Sequence, residues 1–316
     1  MRIPQYISPS SLKIFFENRE EYYLKYLADN KKPRDPQTKA MAVGSAFDAY
    51  VKSYLFEKFH GKTDPKFEFD TLFAQQVEEP VRDFALEAGR ICYEAYRTSG
   101  ALVDLLNQMA DSPVKPMFEV DLKGSLGIDK RLGNVPLFGK PDLFFKTVDN
   151  VHVVYDWKVN GYMSKASPAP GYVMIRDGWK GVPSRGANSS HKETTVFMKG
   201  RIPVGSYTMD RTDPTWAIQT SIYAWMLGEP IGSDFIVGID QLACDSGRIR
   251  IAEHRAPVGK QFQLDLAANL SNMWAIINSG HIFDGVSREQ SDERCKTLDG
   301  LSASLEGEDL FRKMTT

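Results

Sequence analysis

Hydrophobic residues in the first hundred positions recur at the spacing of α-helices. Ser8 precedes an apolar stretch, and a serine at that place is typical of a helix N-cap. A second helix is expected over about Ala40 to Lys58, where apolar residues repeat every three or four positions. The helical pattern continues from Thr71 to Met109, with a break near Gly100. We therefore expect residues 1–113 to form a helical N-terminal part.

Period-two alternation replaces the helical pattern after residue 113. The segments that alternate or are continuously apolar are Met117 to Leu122, Pro136 to Phe145 and Val151 to Val159. Short turns that contain Gly133-Asn134 and Asp149-Asn150 separate them. Such spacing is typical of hairpins, so these three segments are predicted to form an antiparallel meander.

The rest of the chain alternates between helices and strands. The predicted elements are a helix over Trp216 to Leu227, strands over Phe235 to Ala243 and Arg248 to His254, and a closing helix over Gln261 to Asn278. Residues 114–280 would then form an α/β or α+β core behind the helical N-terminal part. Residues 281–316 are polar and acidic and are expected to form a tail.

Residues 160–215 form a long insertion that is rich in Gly, Pro and Ser and has little periodicity. Eight basic residues oppose four acidic ones there, a local charge of +4. Long irregular insertions in compact domains are often functional. Two interpretations stay open, a surface loop without function and a segment that contacts a ligand.

Composition excludes several classes of protein. The 316 residues carry 39 Lys and Arg against 41 Asp and Glu, so the net charge of −2 argues against purely electrostatic coating of DNA. The chain has no apolar run that could span a membrane and no apolar leader, so a cytoplasmic protein without a membrane partner is expected. Its cysteines are expected to be buried thiols rather than zinc ligands or disulfides, and they are Cys92, Cys244 and Cys295.

The candidate chemistry lies on the predicted meander. Asp156 and Lys158 are two residues apart on one strand, so their side chains project from the same face. Asp142 lies in the preceding predicted strand, and two carboxylates on adjacent strands can share a divalent cation. A structural Asp–Lys ion pair is the alternative for this pattern. Gln219 and Tyr223 are one helical turn apart and also share a face.

Taken in order along the chain, these residues resemble the motifs of the PD-(D/E)XK nuclease superfamily, within it the RecB-like exonuclease group. The segments that carry the resemblance are Ile7 to Leu12 with Tyr22 to Leu27, Gly44-Ser45-Ala46-Phe47-Asp48, Gly139-Lys140-Pro141-Asp142, Asp156-Trp157-Lys158, and Gln219 with Tyr223. The resemblance implies a restriction-endonuclease-like core, with a central mixed sheet flanked by helices.

The resemblance also implies roles for individual residues. Asp142 and Asp156 would bind Mg²⁺ or Mn²⁺, with Asp48 as a third ligand where the family usually has a histidine. Lys158 would be the catalytic lysine. Glu119 stands where related nucleases often have an acid, but we expect it to be a surface acid of the first strand. Gln219 and Tyr223 would position the lysine or the DNA.

The implied function is a metal-dependent DNA exonuclease, in phage or mobile-element recombination or in DNA degradation. An endonuclease of the same fold and a catalytically silent DNA-binding or assembly subunit are the alternatives. DNA is the expected partner, with a single-strand-annealing or replication protein as a second, in the host cytoplasm if the chain is phage-encoded. No iron–sulfur cluster is expected, because Asn18-Arg19-Glu20 replaces the first cysteine of that branch and Cys295 alone lies near the last ones.

The basic insertion supplies the candidate DNA-binding residues. Single-strand binding combines cations with aromatic rings that stack on bases. The candidates are Lys180, Arg185, Lys192, Lys199, Arg201 and the stacking residue Trp179.

Overall fold

The parts of the chain that the computed structural model describes contain ten α-helices, nine strands, a π-helical turn (Tyr23–Leu27) and two short 3-10 helices (Pro65–Phe67 and Glu79–Val81). These parts are residues 1–127, 134–149, 151–162, 174–176, 179–181, 208–245 and 248–315. The helices are α1 (Pro9–Glu17), α2 (Arg19–Tyr22), α3 (Lys39–His60), α4 (Phe69–Gln76), α5 (Arg82–Ser99), α6 (Ala101–Ala110), α7 (Met209–Thr212), α8 (Pro214–Met226), α9 (Lys260–Ser279) and α10 (Arg288–Thr315). The strands are β1 (Met117–Phe118), β2 (Leu122–Leu126), β3 (Val135–Gly139), β4 (Leu143–Lys146), β5 (His152–Asn160), β6 (Met174–Arg176), β7 (Trp179–Gly181), β8 (Ile236–Asp245) and β9 (Arg248–Pro257).

The predicted helices of the N-terminal part are confirmed. Ser8 caps α1, because its hydroxyl accepts a hydrogen bond from the Ser11 N–H and its own N–H donates to the Ser11 hydroxyl. The second predicted helix is α3, one to two residues longer at each end than expected. Gly100 separates α5 from α6 with a φ of 97°, a left-handed conformation that glycine adopts without strain.

A mixed five-stranded sheet lies at the centre, in the order β1-β4-β5-β8-β9. Only β5 and β8 run parallel, and Asp156 is aligned with Ile239 in that pair. The other neighbours in this sheet are antiparallel. The chain is therefore an α/β protein with a mixed sheet and a helical N-terminal part, as predicted.

Helices cover both faces of this sheet. Tyr155 and Trp157 project to one face, into a core that contains residues of α3 and α5. Val154 and Ile239 project to the opposite face, into a core with α8 and α9. Because side chains alternate along a strand, Asp156 and Lys158 lie on the α8 side. None of the helices in the described part of the chain is long and apolar enough to cross a membrane.

The prediction of one strand from Pro136 to Phe145 is wrong. β3 ends at Gly139 and pairs with β2 in a separate two-stranded sheet, and the chain then enters the central sheet as β4. Pro141 lies in the connection and has no N–H to donate to a sheet ladder, which favours a break there. Asp142 therefore lies in the link between two sheets rather than within a strand.

The polar C-terminal segment forms the long helix α10. Cys295 and Leu298 are buried in the same core as Tyr23, so one side of this helix packs against the start of the chain. Cys92, Cys244 and Cys295 are buried thiols that form no disulfide, as predicted.

Candidate metal centre

Three carboxylates from three separate parts of the chain meet beside the central sheet. Asp48 lies on α3, Glu119 directly follows β1, and Asp142 directly precedes β4. One oxygen of each lies within 4.8 Å of the others, and the side chains are 16%, 12% and 20% exposed respectively. Oxygen ligands of this type are those that Mg²⁺ and Mn²⁺ prefer. We call Asp48, Glu119 and Asp142 the acidic triad.

The ammonium group of Lys52 lies inside the acidic triad. Lys52 is one turn after Asp48 on α3, and its side chain is 1% exposed. Its Nζ is 2.7 Å from Asp48 Oδ2 and 2.8 Å from Asp142 Oδ1, and it also pairs with Glu119. Burial alone would lower the pKa of Lys52, but the three acids outweigh it and raise that pKa well above the ordinary value. Lys52 is therefore charged at neutral pH.

The carboxylates of the site differ in how readily they ionise. Burial, together with the charges of Asp142 and Glu119, raises the pKa of Asp48 to about 7, against the opposing attraction of Lys52. Burial also acts to raise the pKa of Asp142, but Lys52 and Lys158 outweigh it and hold that pKa below its ordinary value. Asp142 is thus ionised at neutral pH between two cations.

The expectation that Glu119 is a surface acid is wrong. It has a φ of 51°, in the left-handed region that few residues other than glycine adopt. Its side chain reaches Lys52 with one oxygen, and the other lies 2.6 Å from Lys140 Nζ. A backbone conformation of this kind costs about 1–3 kcal/mol and is maintained only by surrounding contacts. The surrounding contacts therefore hold the Glu119 side chain close to Lys52 and to the other two acids of the triad.

Asp156, Lys158, Gln219 and Tyr223 form a connected polar group beside the triad. Lys158 pairs with Asp156, and its Nζ donates to Gln219 Oε1 at 3.0 Å. Gln219 Nε2 lies 3.1 Å from Asp156 Oδ1 and 3.0 Å from the Tyr223 hydroxyl. These contacts confirm that Asp156 and Lys158 share a face and that Gln219 and Tyr223 project together.

Asp142 joins the two groups. Its Oδ1 contacts Lys52 in the acidic triad, and its Oδ2 accepts a hydrogen bond from the Trp157 N–H at 3.2 Å. Burial and the nearby charge of Asp142 raise the pKa of Asp156 to about 7, against the attraction of Lys158. Of the predicted ligands, Asp48 and Asp142 belong to the acidic triad. Asp156 lies outside the triad and next to Asp142, and Glu119 takes the third place.

A groove leads from the protein surface to this polar group. It has a volume of about 760 Å³, and its lining includes the start of α1, Gln219 and Tyr223. Its charged lining residues are Lys13, Lys140, Glu17 and Glu21. A substrate in this groove would reach Gln219, and through it the ammonium of Lys158. The Lys158 side chain is 26% exposed, so it is accessible to a ligand.

Tyr223 packs directly on Gly139. A Cβ atom at Gly139 would lie 2.3 Å from Tyr223 Cε1 and 2.7 Å from Met226 Cε. We expect Gly139→Ala to displace the Tyr223 ring and to lower the free energy of unfolding by about 1–3 kcal/mol, as overpacking does. Denaturant unfolding measures this.

Gly44→Ala is the matched control, because a Cβ there would make an ordinary 3.9 Å contact with Val159. The control variant should be stabilised by about 0.5–1 kcal/mol, since Gly44 lies within a helix. Equal stability of Gly139→Ala and wild type would contradict the close packing.

The candidate DNA-binding residues of the insertion are only partly described. Trp179 and Lys180 lie in β7, where the structure describes the backbone. The other four candidates lie outside the described residues, and they are Arg185, Lys192, Lys199 and Arg201.

Sequence reasoning missed Lys52 and undervalued Glu119. Lys52 follows Asp48 by four residues and precedes Leu55 by three, so it lies on the buried side of α3. That position is the one signal that could have identified it. Glu119 carries no comparable signal, because its inward direction depends on a left-handed backbone.

Comparisons with known proteins give this chain no family. No family model matches it, and no curated protein matches it. A solved structure titled "Crystal structure of SSO0001" is 11% identical, with 82% of this chain and 84% of that chain covered and a TM-score of 0.25. At that TM-score the likeness carries no argument about the fold or the function.

Proposed function

We propose that this protein is a divalent-metal-dependent DNA exonuclease with a restriction-endonuclease-like core. The observation that carries the proposal is the position of Asp142, which belongs to the acidic triad and also lies next to Asp156 and Lys158. A nuclease of this kind needs carboxylates for a metal ion and a cation close to the scissile phosphate. Asp142 is one of the carboxylates, and it lies near the cation Lys158.

The donor set fits Mg²⁺ or Mn²⁺. Asp142 would hold the ion together with Asp48 and Glu119, all hard oxygen donors. Asp156 lies next to Asp142 and is the further candidate ligand. When bound, such an ion lowers the pKa of a water molecule and polarises a phosphate oxygen. Three partly buried acids also repel one another, so a divalent cation would relieve their repulsion.

Lys158 is proposed to stabilise the negative charge that develops on the phosphate during hydrolysis. Burial acts to lower its pKa, but Asp156 and Asp142 outweigh burial and raise it. A protonated lysine cannot accept a proton from water, so the electrostatic role is favoured over that of a general base. Gln219 accepts from the ammonium and donates to Asp156, which fixes the direction of both side chains.

The test is cleavage of end-labelled linear DNA and of closed circular DNA, with and without Mg²⁺. An exonuclease should degrade the linear substrate in Mg²⁺ and leave the circle intact. Nicking of the circle would indicate the endonuclease alternative and would contradict the exonuclease proposal. Binding of DNA without any cleavage in Mg²⁺ or Mn²⁺ would support the silent subunit and would contradict a nuclease.

The basic insertion is proposed to add phosphate contacts. Replacing Lys180, Arg185, Lys192, Lys199 and Arg201 together with glutamine should weaken DNA binding and flatten its dependence on salt, because fewer phosphates are neutralised. Fluorescence anisotropy at several salt concentrations measures both quantities.

A variant with five exposed lysines replaced elsewhere is the control for net charge. The control lysines are Lys31, Lys58, Lys62, Lys66 and Lys115. Equal salt slopes for the two variants would show that the insertion has no particular role in DNA binding.

A further inference from the structure

The acidic triad already contains a cation that belongs to the protein. Lys52 is buried on α3, and its Nζ contacts Asp48 Oδ2, Asp142 Oδ1 and Glu119 Oε1. Burying an ammonium group or a carboxylate without a partner is strongly unfavourable, so the four charges stabilise one another. When all three carboxylates are ionised, they and the ammonium group carry a net charge of −2, the charge that one divalent cation would neutralise.

We propose that Lys52 is an internal counter-ion that competes with the metal ion for the acidic triad. The proposal rests on the proposed metal site. Lys52 Nζ contacts one oxygen of each triad member, so the ammonium group and the ion would bind the same three carboxylates. Two cations that share the same three carboxylates repel each other strongly at such short range in a partly buried site. Lys52 must therefore weaken metal binding.

The position of Lys52 makes the competition intramolecular. Asp48 and Lys52 lie on the same helix, one turn apart, so the ammonium cannot diffuse away from the triad. A tethered competitor acts at a high effective concentration. The lysine would keep the folded acids neutralised when no metal is bound, and it would set the metal concentration at which the site fills.

The first test is calorimetric titration of Mn²⁺ into wild type, Lys52→Met and Lys58→Met. Lys58 lies on the same helix and is exposed, so Lys58→Met controls for the loss of one positive charge and for the helix propensity of methionine. We expect Lys52→Met to bind Mn²⁺ at least about tenfold more tightly than wild type. The Lys58→Met affinity should equal that of wild type.

The outcomes separate this inference from the proposed function. If wild type binds Mn²⁺ and Lys52→Met binds with equal or lower affinity, Lys52 is only a structural partner and the competition is overturned. If neither wild type nor Lys52→Met binds Mn²⁺, the metal site itself is overturned, and the proposed function fails with it.

The second test is thermal unfolding in chelator and in Mn²⁺, because Lys52→Met leaves three carboxylates without their counter-ion. Its melting temperature in chelator should fall below that of wild type, and Mn²⁺ should raise it by more than in wild type. If the variant does not fold in chelator, recovery of the fold in Mn²⁺ supports the competition. Lys52→Gln is tested as a second, milder variant, because its side-chain amide can still donate a hydrogen bond to the triad. Failure of Mn²⁺ to stabilise either variant more than wild type would overturn the proposal.

Discussion

Replacing Lys158 with methionine is expected to reduce DNA cleavage by about 100- to 1000-fold, the usual effect of removing one group that stabilises transition-state charge. The methionine keeps the length of the side chain and removes the charge that pairs with Asp156 and contacts Gln219. DNA affinity should change much less than the cleavage rate, because one ammonium contributes little to binding compared with the many phosphate contacts of the whole surface.

The fold should survive this change. Removing the Lys158 charge alone leaves Asp156 buried, but the pKa of Asp156 is raised to about 7, so its carboxylate can take up a proton. The double variant Asp156→Asn with Lys158→Met removes the pair and should be at least as stable as Lys158→Met alone. Lys115→Met, at an exposed position, is the control. Cleavage by purified, folded Lys158→Met at the wild-type rate would refute the catalytic assignment.

Asp142→Asn is expected to have the largest effect on metal binding. The amide keeps the size of the side chain and can still accept from Trp157 N–H, but it loses the charge between Lys52 and Lys158. Loss of an outer partner of a metal ligand costs about 10- to 100-fold in affinity, so loss of a charged ligand should exceed about 100-fold. Calorimetric titration with Mn²⁺ measures the change.

Matched variants at neighbouring acids identify the remaining ligands. Asp48→Asn and Asp156→Asn each remove one carboxylate near Asp142, and Asp121→Asn removes one from an exposed position as the control. If Asp48→Asn leaves Mn²⁺ affinity and cleavage unchanged, Asp48 is not a ligand. Wild-type affinity in Asp142→Asn would contradict the metal centre as a whole.

Local patterns predicted the helices well because their signals are confined to a few neighbouring residues. Ser8 caps α1 through atoms three residues away, and Gly100 and Gly280 end helices by adopting positive φ. The shared face of Asp156 and Lys158 follows from strand periodicity alone. Gln219 and Tyr223 share a face because they are one helical turn apart.

Strand pairing was predicted less well, because periodicity does not say which strand is the neighbour. Pro136 to Phe145 has the apolar character of one continuous strand, yet β3 and β4 belong to different sheets. Pro141 is the local signal of the break, since it cannot donate to a ladder. This break places Asp142 beside both α3 and β5.

Most of the helices and the pairs of residues that share a face were determined by the sequence itself, since each depends on contacts within one turn of helix or one stretch of strand. The acidic triad was decided only by the tertiary structure. Asp48, Glu119 and Asp142 are far apart along the chain, and Glu119 turns inward through a left-handed backbone. Helical spacing puts Lys52 on the buried side of α3, but only the packing of α3 against the sheet encloses its charge among three acids.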